Sequence, residues 1–300
     1  MSRIQNILEK AEREGGVRRI ATLVEAPPAP RPLDGAPADT HASIAATAPI
    51  AVSAPMTASA PMAVSTAVAP PEWISAPAST APASRVVRST ALDPALIAAL
   101  APGSATAEQY RTLRTRVAQS ERGAAAAVIL ITSPGRGEGK TLTATNLALT
   151  IAQDCQTRVC IVDADLRHPR VHGLLGLPDT PGLAEVLTGE ATLAEALVAI
   201  EQQQISVLPA GKPSARPAEL LGSTAMRRTL QALRAQFDRI IVDAAAAFPL
   251  ADVGILAPIV DSVVLVVQAA VTTKPAIQNA VSIIGSDRVL GVVLNGTEAA

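Results

Sequence analysis

Aromatic residues are nearly absent from this sequence of 300 residues, of which they make up 1%. The complete set is Trp73, Tyr110, Phe237 and Phe248. Because 49% of the residues are nevertheless hydrophobic, we expect a core of aliphatic side chains. Cysteine is equally scarce, and Cys155 and Cys160 are too few for a disulfide framework or a tetrahedral metal site. We interpret both cysteines as small buried residues.

The sequence also lacks an excess of either charge. It holds 25 lysine and arginine residues against 26 aspartate and glutamate residues, which gives a net charge of −1. A chain without a global positive field has no general attraction for phosphate backbones, so we expect no nucleic-acid partner.

Long apolar runs are missing as well. The most hydrophobic segment, residues 260–271, is interrupted by Asp261 and Gln268 and is shorter than the ~18 residues of a membrane-spanning helix. The charged N-terminus has no apolar core of the kind found in signal peptides. We therefore predict no transmembrane segment and a cytoplasmic location, with recruitment to the inner face of the cell membrane through a partner.

Composition divides the chain into three regions. Residues 1–20 carry apolar side chains at helical spacing, which predicts a short amphipathic helix. Residues 21–85 are rich in alanine and proline and bury too little surface to offset the entropy of ordering, so we predict a disordered linker. Residues 86–300 are expected to form one domain of the usual size for an α/β unit.

Strand-like runs alternate with helical segments in the third region. The expected strands are 126–132, 158–163, 205–208, 239–243, 262–268 and 288–294, and the expected helices are 141–153, 182–187, 193–200, 223–235, 253–259 and 275–284. Continuous Val/Ile/Leu runs between helices are typical of a parallel sheet that is buried on both faces. The pattern predicts an α/β fold with a mostly parallel central sheet flanked by helices, in which ligands bind at the carboxyl ends of the strands.

The first strong strand leads into a glycine-rich loop and then a helix, which is the arrangement of a phosphate-binding P-loop. The segment reads ITSPGRGEGKT, residues 131–141, and has Pro134 where the general pattern GxxxxGK[ST] has glycine. In such a loop the backbone N–H groups converge on phosphate oxygens at a helix start. We expect Lys140 to contact the terminal phosphates and the Thr141 hydroxyl to bind Mg²⁺. The predicted nucleotide-binding residues are Gly135, Gly137, Glu138, Gly139, Lys140, Thr141 and Leu142.

Three aspartates stand at the ends of predicted strands. Asp163 and Asp165 follow the run CIV, and Asp243 follows RIIV. Each of them alone is also typical of a helix cap or a turn. Because the carboxyl ends of parallel strands meet at one edge, we expect all three near the P-loop, where carboxylates organise Mg²⁺ and accept protons.

Together, the segments ITSPGRGEGKT, CIVDADLR and RIIVDA resemble the Walker A, Walker A′ and Walker B motifs of the bacterial tyrosine kinase (BY-kinase) family of capsule and exopolysaccharide assembly. MinD/ParA-type ATPases share this deviant Walker fold but usually carry a signature lysine at the position of Gly135. The D-x-D-x-R spacing that ends at Arg167 is closer to the kinases. The resemblance implies a P-loop NTPase fold, ATP and Mg²⁺ as cofactors, and an inner-membrane chain-length determinant or co-polymerase as activator.

The same resemblance implies roles for the site residues. The catalytic set is Lys140, Asp163, Asp165 and Asp243. Asp163 activates a tyrosine hydroxyl, and Asp165 supports the metal shell. The implied Mg²⁺ ligands are Thr141, Asp163 and Asp243.

An E-x-x-R-x-x-R array lies on a predicted helix before the P-loop and consists of Glu108, Arg111 and Arg114. A spacing of three keeps these side chains on one stripe, which fits a solvated charged face with a local ion pair. BY-kinases use this motif for contacts between the subunits of a ring. The resemblance therefore implies self-association through the three residues.

The sequence departs from the family in one important respect. No tyrosine follows Tyr110, whereas BY-kinases usually end in a tail with several autophosphorylated tyrosines. We therefore expect no self-phosphorylation on such a tail. Two alternatives stay open: an ATP-dependent regulatory switch and a MinD/ParA-like ATPase, either of which would assemble on a membrane polysaccharide co-polymerase without phosphorylating tyrosine.

Overall fold

The computed structural model describes residues 23–24, 85–87, 89, 91–120, 123, 126–154, 156–179 and 181–296. The predicted helix at 1–20 and most of the predicted linker at 21–85 lie outside the described residues, as does Cys155. The three-region division of the chain therefore stays a prediction.

The described residues form short strands and helices that alternate along the chain. The strands are β1 (Leu23–Val24), β2 (Arg85–Val87), β3 (Val128–Thr132), β4 (Val159–Asp163), β5 (Val198–Ile200), β6 (Ile205–Leu208), β7 (Arg239–Asp243), β8 (Ser262–Gln268) and β9 (Val289–Asn295). The helices are α1 (Ile97–Leu100), α2 (Ala105–Gln119), α3 (Lys140–Ala152), α4 (Val171–Leu174), α5 (Leu183–Thr188), α6 (Leu193–Ala196), α7 (Pro217–Leu221), α8 (Thr224–Arg234), α9 (Asp252–Leu256) and α10 (Lys274–Ile284). Among these described helices, none has both the length and the apolar composition needed to cross a membrane.

All the strands belong to one sheet with the order β1-β9-β8-β3-β7-β4-β6-β5-β2. The run from β9 to β6 is parallel throughout, and β3 lies at its centre between β8 and β7. Antiparallel pairing is confined to β1 with β9 and to β5 with β6. The predicted mostly parallel sheet is confirmed, and the carboxyl ends of β3, β4, β6, β7 and β8 meet at one edge.

Two apolar layers cover the two faces of the sheet. Successive residues of a strand point to opposite faces, so Val128 and Leu130 of β3 pack in one layer and Ile129 packs in the other. Among the buried residues that the structure describes, Tyr110 is the only aromatic one. The expected aliphatic core is therefore confirmed, and Cys160 is a free, buried thiol within it.

The prediction of one helix over residues 193–200 was wrong. A capping box between Thr192 and Glu195 starts α6, which ends after one turn, and the next residues form β5. Val198 and Ile200 are buried in β5, which pairs antiparallel with β6. The tertiary pairing of a β-branched segment overrides its local helical pattern. The sequence patterns also did not predict the short edge strands β1 and β2.

Candidate active site

The loop between β3 and α3 has the backbone shape of a P-loop. Gly137 and Gly139 have φ angles of +83° and +91°, a region that favours glycine. Gly139 is the N-cap of α3, and a Cβ atom on it would lie 2.0 Å from Nδ2 of Asn295. A side chain at Gly139 would therefore displace the Asn295 amide and strain a backbone with positive φ at the start of the helix. That first turn carries three of the predicted nucleotide-binding residues, Lys140, Thr141 and Leu142.

Glu138 holds the P-loop from inside. Its Oε2 accepts a hydrogen bond from the backbone N–H of Gly135 at 3.0 Å, and its Oε1 accepts one from Oγ1 of Thr272 at 2.6 Å. Asn295 Nδ2 donates to the carbonyl of Glu138 at 3.0 Å. The buried Glu138 side chain therefore ties the P-loop to the loop after β8, and the Glu138 carbonyl ties it to the end of β9. Sequence reasoning missed Thr272 and Asn295, which lie far along the chain and form no recognisable spacing with the loop.

Asp163 and Asp243 end the adjacent strands β4 and β7 and are paired in the sheet register. The Asp163 carboxylate is fully buried and accepts three backbone hydrogen bonds, from Asp165 at 3.1 Å, Arg170 at 3.1 Å and Val171 at 3.0 Å. These contacts fix the loop that connects β4 to α4. Both oxygens of Asp163, a predicted Mg²⁺ ligand, are engaged by backbone donors.

Lys140 reaches across the edge of the sheet to the acids. Its Nζ lies 2.8 Å from Oδ2 of Asp165, 3.3 Å from Oγ1 of Thr141 and 4.0 Å from Oδ1 of Asp243. Burial alone would lower the pKa of Lys140, but the charges of the surrounding aspartates and the hydrogen bond to Asp165 outweigh it and raise the pKa. Lys140 is therefore a firmly protonated cation in a recessed site.

Asp243 is the unsatisfied carboxylate of the site. Both of its side-chain oxygens are buried, and neither has a hydrogen-bond partner within the described residues. Burial raises the pKa of Asp243, although the positive charge of Lys140 and the nearby Thr141 hydroxyl oppose the shift. Burial, together with the charge of Asp243, also raises the pKa of Asp163. A buried carboxylate that has no close hydrogen bond and only a lysine ammonium 4.0 Å away among the described cations has the electrostatic character of a cation ligand.

The donor set fits Mg²⁺ held together with a phosphate ligand. Asp243 and the Thr141 hydroxyl supply hard oxygen atoms at adjacent positions, and Mg²⁺ commonly takes one or two protein ligands with phosphate and water oxygens. Within the described part of the chain, no three acidic, histidine or cysteine side chains form a dedicated metal cluster. The site thus lacks an all-protein cage but has what a nucleotide-bound cation requires.

A second ion pair joins two loops beside the site. Nε of Arg167 donates to Oδ2 of Asp252 at 2.9 Å, and its Nη2 donates to Oδ1 at 3.1 Å. Asp252 is fully buried at the start of α9, whereas the Arg167 side chain is partly exposed. The pair connects the loop of Asp165 to the start of α9, which comes after the loop that follows Asp243. Sequence reasoning identified Arg167 as part of a motif but missed its partner.

The E-x-x-R-x-x-R residues lie together on α2, away from the P-loop residues. Arg111 pairs with Glu108 one turn earlier and also donates to the carbonyl of Pro102. Arg114 Nη1 donates to the carbonyl of Thr150 in the last turn of α3 at 3.1 Å. The predicted interface residues therefore have intrachain partners, and both contacts of Arg111 are exposed.

A P-loop at the carboxyl edge of a mostly parallel sheet, with a lysine and strand-end acids beside it, defines a P-loop nucleotide-binding domain. Residues 126–286 match the family described as AAA domain. Tyrosine-protein kinase YwqD of Bacillus subtilis is 35% identical over 203 residues, which cover 67% of this chain and 85% of YwqD. Succinoglycan biosynthesis transport protein ExoP of Rhizobium meliloti is 33% identical over 204 residues, which cover 66% of this chain but only 26% of ExoP.

Solved structures show the same relationship. The kinase domain of Escherichia coli tyrosine kinase ETK superposes with a TM-score of 0.63 and 26% identity, covering 67% of this chain and 80% of that domain. The chain therefore belongs to the AAA domain family and, within it, to the bacterial tyrosine-protein kinases. The family resemblance read from the motifs is confirmed.

Proposed function

We propose that this chain is an ATP- and Mg²⁺-dependent protein-tyrosine kinase of exopolysaccharide or capsule biosynthesis and export. The observation that carries the proposal is the contact of Lys140 with Asp165 beside the unsatisfied carboxylate of Asp243, in a chain of the tyrosine-kinase family. The named relatives support the process, since YwqD is a tyrosine-protein kinase and ExoP a succinoglycan biosynthesis transport protein.

In this proposal the P-loop binds the phosphates of ATP. The backbone N–H groups of residues 135–142 surround the phosphate oxygens, and the Lys140 ammonium turns from Asp165 to the terminal phosphates. Thr141 and Asp243 hold Mg²⁺ through their oxygen atoms. Bound Mg²⁺ neutralises the negative charge of the transferring phosphoryl group.

The motif resemblance implies that Asp163 accepts the proton of the tyrosine hydroxyl. Our proposal assigns this role to a different residue. Asp163 already accepts three backbone hydrogen bonds, and one of the donors is the N–H of Asp165 itself. We therefore assign Asp163 to positioning and Asp165 to proton transfer. When Lys140 leaves Asp165 for the phosphates, the freed carboxylate accepts the proton of a tyrosine hydroxyl, whose oxygen takes the γ-phosphoryl group while ADP leaves.

The acceptor tyrosine is expected to be one other than Tyr110. Tyr110 is buried on α2 against α3, and burial raises the pKa of its hydroxyl. An activating partner of the chain-length determinant or co-polymerase type, self-association into a ring and attachment to the membrane through that partner complete the proposal.

Transfer of phosphate to tyrosine tests the proposal directly. The full chain is incubated with radiolabelled ATP, Mg²⁺, a tyrosine-containing peptide and the cytoplasmic segment of a candidate co-polymerase, with the Lys140→Ala variant as control. Phosphotyrosine that the variant fails to produce supports a kinase. Phosphate release without phosphotyrosine would identify a MinD/ParA-like ATPase, and ATP-dependent assembly without either product would identify a regulatory switch.

A further inference from the structure

Five loops, one of them the P-loop, leave the carboxyl edge of the sheet. They are residues 133–139, 164–170, 209–216, 244–251 and 269–273. Together they hold two acidic and five basic residues, a net charge of +3 with histidine neutral, although the whole chain has a net charge of −1. The basic residues are Arg136, Arg167, Arg170, Lys212 and Arg216.

The two acids of these loops do not offset the positive surface. Glu138 and Asp165 are both buried and engaged in the contacts described above. Arg167 is paired with Asp252. The remaining four basic side chains are exposed and have no salt bridge within the described residues; we call Arg136, Arg170, Lys212 and Arg216 the basic rim.

Three residues of the basic rim, Arg170, Lys212 and Arg216, lie on two loops that contact each other. Ser214, between Lys212 and Arg216, donates its backbone N–H to the carbonyl of Leu166 at 3.3 Å, which joins the loop after β6 to the loop of Arg170. Glu219 in α7 borders this region, and its charge acts on the neighbouring Arg167.

The opposite edge of the sheet has the opposite charge. The loops at the amino ends of the strands, residues 153–158, 201–204, 235–238, 257–261 and 285–288, hold five acidic and two basic residues, a net charge of −3. The positive surface is therefore a local property of the edge that carries the P-loop. A negatively charged ligand is drawn to this edge and repelled from the other.

The two loops next to the P-loop are uncharged and partly apolar. Residues 244–251 and 269–273 contain no charged residue, and Phe248 and Val271 are each 63% exposed. The strand order β8-β3-β7 places their loops on either side of the P-loop, and the N–H of Phe248 donates to the carbonyl of Pro134 at 3.2 Å. An aromatic contact surface thus lies beside a cationic one.

We infer that this edge binds an acidic peptide segment whose tyrosine is flanked by glutamate or aspartate. The acidic side chains would lie on the basic rim, and the aromatic ring would lie against Phe248 in front of the P-loop. The inference rests on the proposed kinase function, because it names the class of its substrate. The basic rim lies on the loops after β3, β4 and β6, at the same edge of the sheet as the nucleotide site where a phosphoryl acceptor must lie, and this favours a peptide over a membrane surface.

Binding is measured separately from phosphate transfer. Fluorescence anisotropy measures the binding of a glutamate-rich peptide, with phenylalanine in place of tyrosine, to the full chain. The chain is loaded with a non-hydrolysable ATP analogue and Mg²⁺. A matched peptide carries glutamine for glutamate. The variant Lys212→Gln/Arg216→Gln removes two charges of the basic rim, and Arg116→Gln/Arg228→Gln removes two exposed charges on α2 and α8.

We expect the acidic peptide to bind more tightly than the glutamine peptide, and the rim variant to bind it about fivefold more weakly. Salt should reduce this difference, and the control variant should bind like the wild type. Equal binding of both peptides, equal losses in the two variants, or a loss of ATP affinity in the rim variant would overturn the inference. Rim-dependent binding of vesicles containing phosphatidylserine without peptide binding would overturn it in favour of a membrane.

The kinase proposal fails by a different result. If the acidic peptide binds through the basic rim but its tyrosine form is never phosphorylated, the binding surface stands and the kinase activity does not.

Discussion

Lys140 of the P-loop forms a 2.8 Å ion pair with Asp165, the acid to which we assign proton transfer. In the proposed mechanism the phosphates of ATP and the Asp165 carboxylate compete for this one ammonium group. When the phosphates take Lys140, Asp165 loses its charge partner at the moment when a proton acceptor is needed. The ion pair thus couples nucleotide binding to the release of the acid.

Replacing Lys140 by alanine should weaken ATP binding roughly 10- to 100-fold, because a charge-assisted contact to phosphate is lost. Isothermal titration calorimetry measures the affinity, with the exposed Arg116→Ala as a charge-matched control. An unchanged affinity in Lys140→Ala would contradict the assignment of the P-loop.

Asparagine variants separate the two acids that follow β4. Asp165→Asn should bind ATP as well as the wild type or better, since Lys140 no longer has the competing carboxylate at 2.8 Å, but it should lose turnover. Asp163→Asn should lower the melting temperature, because its carboxylate accepts three backbone hydrogen bonds. Thermal melts and phosphate-transfer assays of both variants test these expectations. A stable Asp163→Asn protein with full ATP affinity and no turnover would show that Asp163 is the proton acceptor.

Asp243→Asn should stabilise the nucleotide-free protein at neutral pH while it abolishes Mg²⁺-dependent nucleotide binding. Burial raises the pKa of Asp243 above its ordinary value of 3.8, so ionisation of this carboxyl destabilises the folded protein. The destabilisation grows as the pH rises through the folded-state pKa. Below the unfolded-state pKa the carboxyl is protonated in both states, and the cost disappears. We expect a gain of about 1 kcal/mol at neutral pH that shrinks toward pH ~4.

Urea denaturation across this pH range measures the effect, with the exposed Asp179→Asn as control. A variant less stable than the wild type at neutral pH would show that the Asp243 carboxylate is satisfied in the folded protein.

Local spacing predicted the parts of the site that are close in sequence. The P-loop lies between one strand and one helix, and Asp163 and Asp243 each end an apolar run, so neighbouring residues carry the signal. Parallel-strand topology then brings these segments to one edge. The resemblance to a kinase family depended on the same short segments.

Long-range partners could not be predicted in this way. Thr272 and Asn295 contact Glu138 from 134 and 157 residues away, and Asp252 meets Arg167 from 85 residues away. Only the packed fold defines these pairs, because no periodicity or motif links them. The misassigned segment at 193–200 has the same cause, since pairing with β6 decides its conformation.

The Arg167–Asp252 pair should contribute strongly to stability because one partner is fully buried. Arg167→Met would leave Asp252 as an unpaired buried charge, and we expect a loss of about 3 kcal/mol. The double variant Arg167→Met/Asp252→Asn should recover part of that loss. Urea denaturation measures the double-mutant cycle, and Arg158→Met, whose partner Asp238 is exposed, provides a matched control with a small effect. Additive effects of the two substitutions would show that the pair is not coupled.

The charged stripe on α2 separates into a structural and an associative part. Arg114 donates to the Thr150 carbonyl in the last turn of α3, so Arg114→Ala should lower the melting temperature.

Glu108 and Arg111 pair on the exposed side of α2, and their guanidinium and carboxylate groups can exchange this pairing for contacts with a neighbouring subunit. Glu108→Ala/Arg111→Ala should therefore keep the wild-type melting temperature and reduce assembly. Light scattering with ATP, Mg²⁺ and the cytoplasmic segment of a co-polymerase measures assembly, with Arg116→Ala as control; a wild-type chain that stays monomeric under these conditions would make the stripe an ordinary solvated helix face.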